Sequence, residues 1–301
     1  MSARRGTYSI VARDPETGEL GVAVQSHWFS VGSVVSWAEP GVGAVATQSI
    51  AEPAYGPRLL DRLRDGQAAG QALEELLAAD EQARFRQVAA VDGGGAATVH
   101  TGEGCIPYAG HSEGEDFSTQ ANMMASPDVW PAMAEAFRTA TGPFTRRLLT
   151  ALDAGEAAGG DVRGRQSAAL VVVPDEGQAW QRTVELRVED HGDPLGELRR
   201  LLDLGDAYAV ASEGDDLVGE GRHTEAAERY RRAAELAPAN AELLFWAGLA
   251  MAQGGDLDSG VERVRSAIEM HSGWRELLGR LEPEIAPAAA VVRSELGIEK
   301  Q

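Results

Sequence analysis

Lysine and cysteine are almost absent from this sequence, and each scarcity excludes a class of chemistry. Lys300 is the only lysine among the 27 basic residues. A lysine that forms a Schiff base with substrate, or one that binds nucleotide phosphates in a P-loop or a kinase, is therefore not expected. Cys105 is the only cysteine. The chain can form neither an internal disulfide nor a zinc site built from several cysteines.

Positive charge and long apolar segments are also scarce. The sequence carries 47 acidic residues against 27 basic ones, which gives a formal net charge of −20. Nucleic acid and anionic membranes would be repelled, so neither is expected as a partner. No apolar stretch reaches the roughly 18 residues of a transmembrane helix, and the arginines of Met1–Gly6 are not followed by the apolar region of a signal peptide. We expect a soluble, cytoplasmic protein.

The familiar short motifs of catalysis are missing as well. The sequence contains no HExxH pair, no P-loop and no Rossmann fingerprint after a strand. Gly93–Gly95 separates two short β-rich runs, which is typical of a hairpin turn rather than of a phosphate-binding loop. The six histidines lack the close spacing of metal ligands, so a metal site would need residues brought together by the fold. We predict no cofactor and no metal site.

Residues 1–192 combine β-rich runs with helical ones, and we predict one mixed α+β domain there. Tyr8–Ala12 and Leu20–Val24 flank the turn signal Asp14–Gly18 and indicate a β-hairpin. Leucines at helical spacing between residues 58 and 79 indicate helices interrupted near two glycines. Hairpins without regular strand–helix alternation favour stacked antiparallel sheets flanked by helices. Further strands are predicted at Val31–Trp37, Val42–Thr47, Gln87–Val91, Ala96–His100, Phe117–Met123, Gln166–Val173 and Thr183–Val188, and further helices at Asp128–Ala140 and Phe144–Gly155.

After residue 192 the strand signals stop, and the chain becomes rich in Ala, Leu, Glu and Arg at helical spacing. A period of 34 residues relates Gly214 to Gly248 and Tyr230 to Val264. This pattern resembles the helix–turn–helix unit of tetratricopeptide repeats, and about two units are visible. We predict a small all-α tetratricopeptide-like domain over residues 193–301. Because so few repeats leave apolar surface uncovered, we expect this segment to bind a protein partner or to mediate self-association.

Polar residues recur where the predicted strands end, in surroundings that are otherwise apolar or rich in glycine. Such groups can simply bond to backbone or solvent. Their repetition also fits a cleft lined by side chains, and both interpretations stay open at this point. The residues are Gln25–His27, Thr47–Ser49, Arg86–Gln87, Gln120–Asn122, Asp161, Arg163 and Gln166–Ser167.

Six separated segments carry a resemblance to a known family: Thr7–Asp14, Gly21–Ser26, Gly41–Gln48, Ile106–His111, Gln120–Met124 and Gly160–Leu170. In this order they resemble the uncharacterised bacterial and archaeal family catalogued as domain of unknown function 1028, over roughly residues 7–200. The resemblance implies an N-terminal nucleophile (Ntn) hydrolase-like fold, a four-layer αββα sandwich, and the cleavage of amide bonds. Members commonly carry a C-terminal segment described as peptidoglycan-binding-like. This chain has tetratricopeptide-like helices instead, so no cell-wall role is transferred.

The resemblance also implies a mechanism. The nucleophile is the first residue of the mature chain, and its own free α-amine is the general base. Gly6-Thr7 looks like a processing junction of the proteasome type, which makes Thr7 the candidate nucleophile once Met1–Gly6 is removed. An oxyanion needs hydrogen-bond donors, for which Asn122 and backbone amides near Gly41–Gly43 are the candidates.

The other polar residues of the resembling segments would line the substrate site. Arg163 suits a substrate carboxylate because its guanidinium can make two parallel hydrogen bonds to it. We predict hydrolysis of a small linear or cyclic amide, without a cofactor. The remaining predicted substrate-binding residues are Ser26, His27, Gln48, His111 and Asp161.

Several alternatives stay open. If Met1–Gly6 is retained, Thr7 has no free amine, and the first domain is a catalytically silent binding or structural domain with a helical interaction tail. Ser26 or Cys105 could be a different nucleophile, although Ser26 and His27 should point to opposite faces of a strand. A metal-dependent hydrolase is a third possibility. Ntn sandwiches often stack face to face, so we also expect a homo-oligomer.

Overall fold

Runs of valine, alanine and isoleucine form the strands of the first part of the chain, as expected for residues that suit a pleated, buried surface. The computed structural model describes residues 6–300 and contains ten strands within that range. These strands are β1 (Thr7–Arg13), β2 (Leu20–Ser26), β3 (Ser36–Glu39), β4 (Gly43–Ser49), β5 (Arg86–Asp92), β6 (Ala97–Thr101), β7 (Gly110–Gly114), β8 (Phe117–Asn122), β9 (Ser167–Val173) and β10 (Val184–Val188).

The strands form two antiparallel sheets. Six of the ten described strands lie in one sheet, in the order β10-β9-β2-β1-β8-β7, and the other four form a sheet in the order β3-β4-β5-β6. β1 and β2 are the predicted hairpin, and Gly18 in its turn has a φ of +76°, which glycine adopts without strain. The predicted antiparallel sheets are confirmed.

Helices cover the outer face of each sheet. α4 (Val129–Thr139) and α5 (Phe144–Ala157) pack on the six-stranded sheet. α2 (Tyr55–Arg64) and α3 (Ala69–Ala78) pack on the four-stranded sheet. Because the two sheets also pack against each other, the layers run helix, sheet, sheet, helix. The short helix α1 (Gly32–Val35) precedes β3.

The layer between the sheets is apolar over much of its extent. Val11 of β1 belongs to a buried cluster with Ala44 of β4 and Val91 of β5. Side chains alternate along a strand, so Thr7 and Ser9 share the inward face of Val11. The inward-facing side chains thus change from apolar to polar towards the start of β1, and the candidate site lies at this polar end.

One predicted strand differs from the structure. The segment Val31–Trp37 is predicted as a strand throughout, but it begins with the helical turn α1 and becomes β3 only at its end. Ser167 fixes this turn, because its Oγ accepts a hydrogen bond from the backbone N–H of Val31 at 3.1 Å. A contact from a residue so distant in sequence carries no local signal, so the β-branched run alone favours a strand.

The edge strand β7 has no counterpart among the predicted elements. Its sequence, Gly-His-Ser-Glu-Gly, contains none of the β-branched or aromatic residues that mark strands. The segment is extended because it pairs with β8 at the edge of the six-stranded sheet. Its conformation is set by this pairing rather than by local preference.

The later part of the described chain is helical, and the predicted all-helical character is confirmed. The chain divides into two compact units between Arg199 and Arg200, inside α6, whereas the sequence predicts a boundary after residue 192. The helices are α6 (Pro194–Gly219), α7 (His223–Leu236), α8 (Ala241–Gln253), α9 (Leu257–Met270), α10 (Gly273–Arg280) and α11 (Ala289–Leu296).

The period of 34 residues has a direct packing basis. A Cβ atom on Gly214 would lie 3.1 Å from the ring of Tyr230. A Cβ atom on Gly248 would lie 2.6 Å from the carbonyl oxygen of Gly260 and 2.7 Å from a methyl group of Val264. In both repeats the glycine lets its helix approach the next one, which carries the larger partner.

Candidate active site

Polar side chains fill one end of the layer between the two sheets. Antiparallel pairing puts Thr7, at the start of β1, opposite Ser26 on one side and Asn122 on the other. In the second sheet Gln48, near the end of β4, is opposite Gln87 of β5. All five side chains are buried. The polar residues at the strand ends therefore form one buried cluster with contributions from both sheets.

The Gly6–Thr7 peptide group lies at this end of the layer, and its carbonyl oxygen accepts two side-chain hydrogen bonds. Ser26 Oγ donates one of them, and Arg163 Nη2 donates the other at 3.0 Å. Thr7 Oγ1 in turn donates to Ser26 Oγ at 3.1 Å. A guanidinium and a hydroxyl directed at one carbonyl oxygen can stabilise negative charge that develops there.

Asp161 holds Arg163 in position through a bidentate ion pair. Asp161 Oδ1 accepts from Arg163 Nε at 3.0 Å, and Oδ2 accepts from Nη2 at 2.7 Å. The backbone N–H of His27 also donates to Oδ2, at 3.1 Å. A Cβ atom on Gly6 would lie 2.7 Å from Asp161 Oδ2 and 2.9 Å from Arg163 Nη2. Any larger residue before Thr7 would have to displace this ion pair.

An amide network joins the strand of Thr7 to the second sheet. Gln48 Nε2 donates to the Thr7 carbonyl oxygen at 3.2 Å and to Gln87 Oε1 at 2.8 Å. Asn122 Nδ2 donates to the same Gln87 oxygen at 3.0 Å and to the Thr7 carbonyl oxygen at 3.4 Å. Within the described residues, no side-chain polar atom of this cluster is buried without a hydrogen-bond partner.

Sequence reasoning misses part of this cluster. Gln87 and Gln120 are polar strand-end residues to which the sequence assigns no role, and Ser9 is not marked at all. Ser9 Oγ donates to Gln48 Oε1 at 2.6 Å and accepts from Gln120 Nε2 at 2.6 Å. Strand alternation is the signal that could have found Ser9, because it lies two residues after Thr7 and shares its face.

The two predicted histidines lie at the edge of the cluster. His27 Nδ1 is 3.3 Å from the carbonyl oxygen of Arg165, so the ring has a partner different from those of Ser26. His111 Nδ1 is 2.9 Å from Thr101 Oγ1, and that hydroxyl accepts from Gln87 Nε2 at 2.9 Å. His111 is thus connected to the amide network through one hydroxyl group.

The predicted oxyanion donors do not contact the carbonyl oxygen of Gly6. Asn122 donates to the carbonyl of the following residue instead. The expectation for Gly41–Gly43 is wrong, because this segment lies at the start of β4 and the cluster at its other end. The donors at the Gly6 carbonyl are Ser26 and Arg163, which the sequence assigns to substrate binding.

Two further titratable groups near these strands have raised pKa values. Tyr8 donates to Glu156 Oε2 at 2.7 Å, and burial, followed by the charge of Glu156, raises the pKa of Tyr8 well above its usual range. Cys105 is buried and donates to the Arg86 carbonyl oxygen at 3.4 Å. Burial raises the pKa of the Cys105 thiol, which lowers the thiolate population that a cysteine nucleophile needs.

Residues 6–300 contain no group of three or more histidine, cysteine, aspartate or glutamate side chains arranged to hold a metal ion. In the same range no helix combines the length and the apolar character needed to cross a membrane. The cluster itself consists of hydroxyl, amide, guanidinium and carboxylate groups.

Two family models match the chain. The model of a family of unknown function, DUF1028, matches residues 7–198, and a tetratricopeptide repeat model matches residues 214–255. The first match contains every residue of the cluster except Gly6. The second begins near the end of α6 and extends through α8.

The chain is also similar to a solved structure, the crystal structure of protein SPO2555 from Silicibacter pomeroyi, which is described as DUF1028. The two sequences are 34% identical, the TM-score is 0.61, and the match covers 65% of this chain and 88% of that chain. A search of the curated proteins found no match.

Proposed function

The chain belongs to the family of unknown function DUF1028, as the six sequence segments predict, and on that basis we propose that it hydrolyses a small linear or cyclic amide, with Thr7 as nucleophile. In this proposal the first domain is an Ntn-hydrolase-like sandwich, and cleavage of the Gly6–Thr7 bond makes Thr7 the first residue of the mature chain. One observation carries the proposal. The carbonyl oxygen of Gly6 accepts hydrogen bonds from Ser26 and Arg163, while the Thr7 hydroxyl donates to Ser26.

These contacts supply a route for the cleavage. Thr7 Oγ1 attacks the carbonyl carbon of Gly6, and its proton passes to Ser26 Oγ while Ser26 passes its own hydroxyl proton towards the carbonyl oxygen, so that Ser26 stays neutral. Arg163 and Ser26 stabilise the negative charge that develops on the carbonyl oxygen. As the C–N bond breaks, the proton reaches the Thr7 nitrogen, which leaves an ester between Gly6 and Thr7 Oγ1. Water then hydrolyses this ester and releases the segment that ends at Gly6.

The mature site would reuse the same groups. An α-amine in a model peptide has a pKa of about 7.7–8.0, which is the range in which a free amine at Thr7 would accept the proton of the Thr7 hydroxyl near neutral pH. The carbonyl oxygen of a substrate amide would take the position of the Gly6 oxygen, between Ser26 Oγ and Arg163 Nη2. We therefore assign Arg163 to the substrate carbonyl rather than to a substrate carboxylate.

A second candidate function is favoured by the completeness of the amide network. Gln48, Gln87 and Asn122 form hydrogen bonds with one another, and Gln48 also donates to the backbone of Thr7. Such a closed set of hydrogen bonds is expected in a catalytically silent structural or binding domain.

The tetratricopeptide repeat match suggests protein interaction for the helical segment in either case. The residues Met1–Arg5 of the expected leader lie outside the described residues. The homo-oligomer and the cytoplasmic location stay predictions.

Replacement of the candidate nucleophile separates the two functions. Thr7→Ala should keep the bond after Gly6 intact and should show no amine release from a panel of small linear and cyclic amides. Thr7→Ser should be cleaved and should retain activity, since it keeps the hydroxyl. Thr98→Ala in β6 is the matched control. Thr7→Ala protein that loses its first six residues, or that hydrolyses amides like the wild type, would eliminate Thr7 as the nucleophile.

A further inference from the structure

A cavity of about 620 Å³ lies within the helical unit, between α6 and α8 and beside the loop of residues 284–288. Its volume falls in the range of pockets that bind small molecules or peptide side chains. Every residue that lines it follows Arg200, so the cavity is formed by the helical unit alone. Much of its wall belongs to the segment that matches the tetratricopeptide repeat model.

The wall of this cavity combines aromatic rings with carboxylates. Within the described part of the chain neither lysine nor arginine lines it, and His223 is its single side chain able to carry positive charge. The cavity therefore has the electrostatic character of a cation site. The rings are those of Tyr208, Tyr230 and Trp246, and the carboxylates are those of Asp215, Glu242 and Glu284.

Two of the carboxylates are positioned by the rings beside them. Tyr208 Oη donates to Glu242 Oε2 at 2.7 Å, and Asn240 Nδ2 donates to the same tyrosine oxygen at 3.2 Å. Tyr230 Oη donates to Asp215 Oδ1. Each pair puts negative charge next to an aromatic ring, an arrangement that attracts a cation both by charge and by the ring face.

Exposed apolar side chains surround these charges. Ile285 is 68% exposed and Val218 is 41% exposed, and both line the cavity. A ligand that carried only a charge would leave this surface in water. A long side chain with an apolar stem and a cationic head would cover the apolar part with its stem and place its head among the carboxylates.

We propose that this cavity binds an arginine-bearing peptide segment of a partner protein. Arginine fits better than lysine, because its planar guanidinium stacks on aromatic rings and pairs with carboxylates through two parallel hydrogen bonds. Leucine or a similar residue beside the arginine would contact Ile285 and Val218. The proposal is independent of any reaction at Thr7, because it uses residues of the helical unit only.

Binding of two synthetic peptides to the full-length protein tests the proposal by calorimetry. The first is acetyl-Ala-Leu-Arg-Leu-Arg-Ala-amide, and the second has glutamate in place of both arginines. The arginine peptide should bind at least tenfold more tightly than the glutamate peptide, and its affinity should fall as salt rises. Equal affinity for the two peptides, or no binding of the arginine peptide, would overturn the proposal.

Charge-neutral variants localise the binding. The double variant Glu242→Gln and Glu284→Gln should weaken binding of the arginine peptide at least tenfold. Glu262→Gln is the matched control, an exposed carboxylate of α9 outside the cavity, and it should leave the affinity unchanged. An equal loss of affinity in Glu262→Gln would contradict the assignment of the binding site to this cavity. Binding of free arginine as tight as that of the peptide would contradict a peptide ligand. Circular dichroism of each variant verifies that the helices are retained.

Discussion

Two donors to one carbonyl oxygen are the residue-scale basis of the proposed reaction. Ser26 and Arg163 both hydrogen-bond to the Gly6 oxygen, and the buried carboxylate of Asp161 fixes the guanidinium through two oxygens. Such preorganised donors lower the energy of a developing oxyanion because they need no rearrangement during the reaction. The residue before Thr7 is glycine, and a Cβ atom there would meet both members of this ion pair.

Replacement of the guanidinium should slow cleavage of the Gly6–Thr7 bond. Arg163→Met removes one of the two donors to the oxyanion, and loss of one such donor typically costs a factor of about 10² to 10³ in rate. The fraction of chain that begins at Thr7, followed over time by mass spectrometry, measures this effect. Arg165→Met is the control, because Arg165 pairs with Glu156 and Asp193. Equal cleavage rates for Arg163→Met and the control would contradict the assigned role.

The sequence predicts the location of the site better than the roles within it. Polar residues at strand ends and the family resemblance identify Thr7, Ser26, Gln48, Asp161 and Arg163, all of which lie in or beside the cluster. The hydrogen-bond partners of these residues depend on how the two sheets face each other, which no local pattern encodes. The sequence therefore assigns the oxyanion role to Asn122 and overlooks Ser9.

At the scale of elements, amide side chains connect the two sheets by hydrogen bonds at one end of a layer that is otherwise largely apolar. Gln48 on β4 contacts β1 and β8 through the carbonyl oxygens of Thr7 and Gln120, and Gln87 on β5 contacts β8 through the carbonyl oxygen of Ala121. These bonds fix the start of β1 relative to the second sheet. The strand that carries the candidate nucleophile is thus held from both sides.

Removal of the central acceptor should destabilise the first unit. Gln87→Leu removes the oxygen that Gln48 Nε2 and Asn122 Nδ2 share, and it also removes the donor to the Ala121 carbonyl oxygen. Asn122 Nδ2 then keeps only its bond of 3.4 Å to the Thr7 carbonyl oxygen, and each buried group that loses its partner costs about 1–3 kcal/mol. We expect the free energy of unfolding in urea to fall by about 2–4 kcal/mol. Gln71→Leu, on the exposed face of α3, should change it by less than about 0.5 kcal/mol. Similar losses in both variants would show that the network adds no particular stability.

The close helix contact in the repeats gives a second test at this scale. Gly248→Ala adds a methyl group 2.6 Å from the carbonyl oxygen of Gly260, and such overpacking typically costs about 1–3 kcal/mol. Gly205→Ala is the matched control in α6, where an added Cβ would meet nothing within 4 Å. The control should stabilise its helix by up to about 1 kcal/mol, since alanine favours helix over glycine. The midpoint temperature of thermal unfolding, followed by circular dichroism, should fall for Gly248→Ala and rise for Gly205→Ala.

At the scale of the whole molecule, strong local signals predict the architecture, and contacts between distant residues account for the differences. The hairpin of β1 and β2 follows from its turn residues, and the helical character of the later segment follows from its composition and helical spacing. The turn α1 depends on a hydrogen bond from Val31 to Ser167, and β7 depends on its pairing with β8. Neither contact can be recognised from the sequence of the segment whose conformation it determines.

The central claim is that cleavage before Thr7 creates the amine needed for catalysis. The most direct test is the intact mass and N-terminal sequence of the wild-type protein, produced without an N-terminal tag. We expect a mature chain whose first residue is Thr7, because the Gly6 carbonyl is held by two donors beside the Thr7 hydroxyl. A purified, folded protein in which Gly6 remains bonded to Thr7 would contradict the claim and would favour the silent structural or binding domain.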